Sequence, residues 1–167
     1  MRKRLSVRGA VLVCLALGVL AVAATSGAAI SSPQVFSLLA VDSQTSQPIN
    51  GFVFDRAPRA GDQVGIAENL YKWAGTKRGA RVGRDQGIMT YLRISGETAT
   101  ALIAAQIYLN GGTIFVEGLG TFPNGPWKLT LPVVGGTGKY DNVRGYLIVR
   151  QLPGGVNKEA FEFHLLP

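Results

Sequence analysis

From residue 34 onward the chain keeps interrupting itself. The clusters "NGG" (110–112), "PNGP" (123–126), "GGTG" (135–138) and "PGG" (153–155) cut it into short pieces. Glycine, proline and asparagine in such groups are turn chemistry, and what lies between them alternates with a period of two, as strands do. In "WKLTLPVV" (127–134), Trp127, Leu129, Leu131 and Val133 fall on one face, while Lys128, Thr130, Pro132 and Val134 fall on the other. Eight segments read this way: 34–42, 62–73, 80–95, 97–109, 112–122, 127–134, 143–152 and 158–166. The best helical rival is "ETATALIAAQI", whose alanines favour helix, but its threonines and isoleucines and the strands around it favour strand. The longest irregular connection spans 43–61, with a short strand expected at "GFVFD" (51–55).

Eight strands at this spacing suit a barrel or a two-sheet sandwich. Several strands are apolar on both faces, which a barrel with an apolar lumen and one buried outer flank requires. Closure also removes exposed strand edges. The expected fold is therefore all-β, an eight-stranded antiparallel β-barrel.

The N-terminus sets a compartment. "MRKRLSVRG" carries Arg2, Lys3, Arg4 and Arg8 and no acid, an apolar run from Ala10 to Ala24 follows, and "TSGAA" closes it. This order describes a secretory signal peptide over 1–28, cleaved after Ala28, and the apolar run is short of the roughly 20 residues a membrane span needs. A secreted single domain over 29–167 is expected, with no stable membrane association after cleavage. Four of the 17 basic residues leave with the leader and all ten acids remain, so the net charge falls from +7 to +3. That balance gives no argument for nucleic acid. The only cysteine, Cys14, leaves too, so no disulfide or thiolate site is expected.

"GGTGK" (135–139) looks at first like a phosphate loop. It lacks the first glycine, which is Val133 here, and Tyr140 stands where Ser or Thr should hold magnesium. A strand follows it where a helix should open. The glycines Gly135, Gly136 and Gly138 are expected instead to take positive φ and reverse the chain between two strands. A single histidine, His164, excludes a histidine-based metal cluster and gives a hydrolase triad poor support.

"LPVVGGTGKYDNVRGYL" (131–147) resembles the loop-and-strand signature of the allene oxide cyclase and dirigent families, which share one barrel. "GDQVGIAENLY" (61–71) and "RVGRDQGIMTYL" (81–92) match two further segments in order. The resemblance covers roughly 34–166 and, with the leader, points to the bacterial secreted members. It implies an apolar pocket inside the barrel, a hydrophobic small-molecule substrate or ligand, no cofactor, and a homotrimer. In such a pocket shape holds the reacting conformer, and one or two polar groups stabilise charge.

Glu68 is the first candidate for catalysis, because it shares strand parity with Val64, Ile66 and Leu70. A carboxylate on an apolar face that lines the lumen has a raised pKa suited to proton transfer. Asp55 in "FVFDRAP" resembles a first-strand acid of dirigents. Alternatively "QVFSLLAVDSQ" matches the first strand of plant allene oxide cyclases, which puts Ala40 at their catalytic glutamate, with Asp42 two residues on. Arg144 matches a dirigent pocket arginine, though Arg150 at the same parity equally suits a solvated wall. Tyr71, Tyr91, Tyr108 and Tyr146 can donate hydrogen bonds to substrate. The function expected is a cofactor-free cyclase, isomerase or stereochemical guide; the alternative is a barrel that only binds a hydrophobic ligand.

Overall fold

Alternation alone requires each strand to bury one face, and eight long strands satisfy it by curling around a shared interior. The computed structural model describes residues 29–42, 47–50, 56–75, 77–153 and 158–167. The strands are β1 (Gln34–Asp42), β2 (Gln47–Ile49), β3 (Gln63–Trp73), β4 (Arg78–Ser95), β5 (Thr98–Leu109), β6 (Gly112–Pro123), β7 (Lys128–Gly136), β8 (Arg144–Gln151) and β9 (Lys158–Leu166). They follow one another around the sheet as β1-β9-β8-β7-β6-β5-β4-β3, and β1 pairs with β3 to close the barrel. Every pairing is antiparallel. The short β2 continues along the same edge of β3 beyond β1, pairing Gln47–Ile49 with Gly65–Gln63.

The helical rival is β5. Ala101, Ile103, Ala105 and Ile107 alternate inward and are all buried, while Ala104 and Gln106 face out and are exposed. The expected strand at 51–55 and the leader at 1–28 lie outside the described residues. Among the described residues no helix is long and apolar enough to cross a membrane.

The strand ends define two mouths. One, here the upper, carries the end of β1, the start of β3, the β4–β5 hairpin, the β6–β7 loop and the start of β9. Toward the lower mouth the interior is apolar and packed: Ala40, Leu70, Ile107, Ile114 and Phe163 are all fully buried, and Phe36 stacks on Phe163 at 4.8 Å. Ile30 is also buried, and its amide donates to the Lys139 carbonyl at 3.0 Å.

The GGTG loop closes this lower end. After β7 the chain makes one 3-10 turn over Gly138–Tyr140, and Tyr140 inserts into the core. The expectation of three positive φ angles is corrected: only Gly138 has one, at 62°. Gly136 is required for a different reason, since a Cβ there would lie 2.4 Å from the Tyr140 carbonyl oxygen. The Lys139 ammonium lies 4.8 Å over the Tyr140 ring. Its amide donates to the Gly111 carbonyl at 2.9 Å, so the loop is pinned to the β5–β6 turn.

Candidate functional site

Strand pairing brings four carboxyl groups to one place. Asp42 on β1 lies opposite Glu68 on β3, and Glu68 lies opposite Asp85 on β4. Directly opposed residues have Cβ atoms about 4.5–5.5 Å apart, so these acids form a continuous row. Glu159 on β9 pairs with Ala40, one step along the same face from Asp42. All four line a cavity of about 300 Å³ near the upper mouth. The opposite wall comes from β5–β8 and is apolar, with Ile103, Val116, Leu129, Leu131, Leu147 and Val149. Phe122 meets Trp127 edge to face at 5.2 Å, and both line the cavity with Tyr91. No lysine, arginine or histidine lines it among the described residues.

The electrostatics follow from that geometry. Glu68 is 7 % exposed and Asp85 only 4 %. Burial pushes the Glu68 carboxyl well above its ordinary value, and the charges of Glu159, Asp85 and Asp42 push it further. Burial lifts Asp85 to about 7, against an opposing hydrogen bond from the Gln86 amide. Glu159 also reaches about 7, through burial first and then the charges of Asp85 and Asp42. One Asp85 oxygen, Oδ1, is buried with no hydrogen-bond partner. Near neutral pH this wall therefore holds both protons and negative charge, and it can give a proton or face a developing positive charge. No group of three or more His, Cys, Asp or Glu among the described residues is arranged to hold a metal ion.

Of the residues singled out in the sequence, Glu68 and Tyr91 line this cavity. Burial and then the charge of Asp62 raise the Tyr91 hydroxyl above its ordinary value. Asp55 lies outside the described residues. Arg144, for which the sequence left pocket and solvated wall equally open, stands at an outward position, as do Tyr71, Tyr108 and Tyr146, and none of the four lines this cavity. On β8 the lumen takes Gly145, Leu147 and Val149, so Arg144 and Tyr146 turn out. Arg144 is exposed and donates to the Val143 carbonyl at 2.8 Å, and Tyr146 is 41 % exposed and stacks on His164 at 4.5 Å. Tyr71 lies beneath the Arg78 guanidinium and Tyr108 beneath that of Arg84, at 4.9 and 4.7 Å. His164 bonds Glu162 at 2.7 Å on that outer face, away from the cavity.

Sequence reasoning passed over Asp85 and Glu159. Glu159 carried a usable signal, because it shares parity with Phe161, Phe163 and Leu165, as Glu68 does with its apolar neighbours. Asp85 carried none, since its same-parity neighbours Gly83 and Gly87 are glycines.

No curated protein sequence matches the chain significantly. Among solved structures, a pyocyanin demethylase aligns with a TM-score of 0.65 at 22 % identity, over 80 % of this chain and all of that one. An exo-specific intermolecular Diels-Alderase, AbnU, aligns with a TM-score of 0.64 at 16 % identity, over 80 % and 96 % of the two chains. A pterocarpan synthase dirigent protein aligns with a TM-score of 0.61 at 20 % identity, over 80 % and 82 %. At these identities the likenesses establish the shared barrel. The family model described as the allene oxide cyclase barrel like domain matches residues 40–163, most of the barrel, and the chain belongs to that family.

Proposed function

We propose that the upper cavity takes a small hydrophobic molecule and promotes its cyclisation or isomerisation, or fixes the stereochemistry of its coupling, with no bound cofactor. The observation that carries this reading is the row of carboxyl groups, Glu68 and Asp85 buried and Asp42 and Glu159 half-buried, facing an apolar wall within one cavity. Burying an ionisable group in an apolar setting costs several kcal/mol unless it is paired or takes a proton. A lumen built only to bind an apolar ligand has no need of that cost. Here the apolar wall selects a folded conformer by shape, and the acids stabilise charge or move a proton as bonds reorganise. The named activities of the Diels-Alderase and the dirigent protein support the same class of chemistry.

The chain is further proposed to be exported, with cleavage of its leader, and to assemble as a homotrimer. N-terminal sequencing of the exported protein is expected to begin between Ala24 and Ser32. Outward apolar side chains on β4 and β6, on either side of β5, support assembly: Ile88 is 46 % and Leu119 61 % exposed. Light scattering at micromolar concentration is expected to give three times the monomer mass, and a monomer would overturn that part.

The test of function uses the purified mature protein and a panel of linear diene–dienophile and epoxide substrates, with pyocyanin included because of the demethylase likeness. Product stereochemistry is read by chiral chromatography. Glu68→Gln is expected to fold, to keep binding apolar ligands, and to lose roughly 10²–10⁴-fold in turnover, the usual worth of a positioned acid or base. A variant that turns over with unchanged rate and selectivity would overturn the role of Glu68, and a parent protein with no turnover on any of these substrates would reduce it to a ligand-binding barrel.

A further inference from the structure

The two walls of the upper cavity differ in a way that specifies more than an apolar ligand. Four adjacent strands, β9-β1-β3-β4, each place a carboxyl group on one side. The other four, β5 to β8, contribute no titratable group to the lining. An acidic cluster alone proves little, since carboxylates can share protons among themselves. A second observation points to an occupant. Asp85 Oδ1 is buried and unpartnered, and its residue lines the cavity, so an acceptor is held ready with nothing in the protein to satisfy it. Aromatic side chains complete the surround, with Trp127, Phe122, Tyr91 and Phe161 on the lining. Rings of this kind attract a cation placed over them and do little for an anion.

We propose that the natural ligand of this cavity is a largely apolar molecule bearing one positively charged nitrogen, with the nitrogen held at the Glu68–Asp85 end of the carboxyl row and the apolar body against β5–β8. The proposal rests on reading the cavity as a small-molecule site. The carboxyls are not arranged for a metal ion among the described residues, and at about 300 Å³ the volume suits a small organic cation at the lower limit of ligand pockets. An anionic ligand would meet four acids and no basic group on the lining. The titratable groups that line the cavity with Glu68 are Asp42, Asp85, Glu159 and Tyr91, so deprotonation can only make the site more negative. Cation affinity therefore rises as pH passes upward through the range where Asp85 and Glu159 ionise, near 7.

The probes are benzyltrimethylammonium and its uncharged isostere neopentylbenzene. The nitrogen of the first keeps its charge at every pH, so any pH effect belongs to the protein. A Trp73→Phe background leaves Trp127 as the sole tryptophan to report occupancy by fluorescence. At pH 8.5 the ammonium is expected to bind at least tenfold tighter than the isostere, with the preference falling severalfold at pH 5.5. Glu68→Gln and Asp85→Asn should each remove most of the preference while keeping neopentylbenzene binding, and circular dichroism confirms their folding. If neopentylbenzene binds as tightly as the ammonium at pH 8.5, the charged-ligand inference falls and the small-molecule reading stands. If neither probe perturbs Trp127, both fall. Preference retained in both variants would place the cation elsewhere and overturn the assignment.

Discussion

Two buried acids on the same side of the barrel have opposite chemistry. Asp62, just before β3, is 9 % exposed, close to Glu68 at 7 %. Arg56 grips Asp62 with two hydrogen bonds, at 2.6 and 2.9 Å, and the Arg59 amide adds a third at 2.7 Å. The Arg56 guanidinium holds that carboxyl below its ordinary value. Glu68 and Asp85, a few residues away in space along β3 and β4, are pushed the other way by burial among like charges. Residue exposure alone does not separate these sites: Asp62 lies shallow and is paired with Arg56, whereas Glu68 and Asp85 lie deep among like charges. Asp62 fixes a loop against β4, where its own carbonyl accepts from the Tyr91 amide at 2.9 Å. No basic side chain lines the cavity beside the carboxyl row among the described residues, and the cost of burying Glu68 and Asp85 there is the reason to expect a ligand.

The largest effect that sharpens the contrast is on stability against pH. The folded-state pKa of Asp85, about 7, exceeds its ordinary value of 3.8. The folded protein therefore binds more protons between those values, and stability falls as pH rises through the window. Three units correspond to about 4 kcal/mol, fully felt above pH 7 and small near pH 4. Asp85→Asn is expected to be more stable than the parent by up to roughly that amount at pH 8.5, with the gain vanishing near pH 4. Urea unfolding across pH 4–9 measures it, and a variant less stable at every pH would break the comparison.

A smaller effect tests the coupling within the row. Removing the Asp85 charge in Asp85→Asn is expected to lower the pKa of Glu159 by about one unit or less, the scale of one neighbouring like charge. Carboxyl carbon NMR titration reads it directly, and an unmoved Glu159 would mean that burial alone raises these groups.

The smallest effect lies at Asp62 and has the opposite sign. A lowered folded-state pKa contributes stability above the ordinary carboxylate range and loses it as pH falls through the folded value. Arg56→Ala should therefore lower the melting temperature at pH 7, and the difference should close as pH drops below about 4. It should leave the ammonium preference of the upper cavity unchanged. A loss of that preference would join the two regions into one site.

The eight long strands were legible because their signal is local. Each carries its own period of two, and turn clusters mark most of the boundaries, so β1 spans the same residues read from the sequence, Gln34–Asp42. Glu68 was legible for the same reason, being a carboxyl among apolar residues of one parity. Arg144 and three of the four tyrosines were not, since parity says which residues share a face and leaves open which face is inside. On β8 that was settled by Leu147 and Val149 entering the core, which sends Arg144 outward.

The row itself belongs wholly to the tertiary structure. Asp42, Glu68 and Asp85 sit on three strands, and only the closing pair β1–β3 and the register of β3 on β4 align them. A slip of one residue would turn Glu68 out of the lumen. The sequence by itself determined which segments become strands and that one acid must share a face with hydrophobic neighbours, because those are short-range properties. Register across strands depends on closure around a common core, so only the folded barrel decided that four acids would meet across an apolar wall.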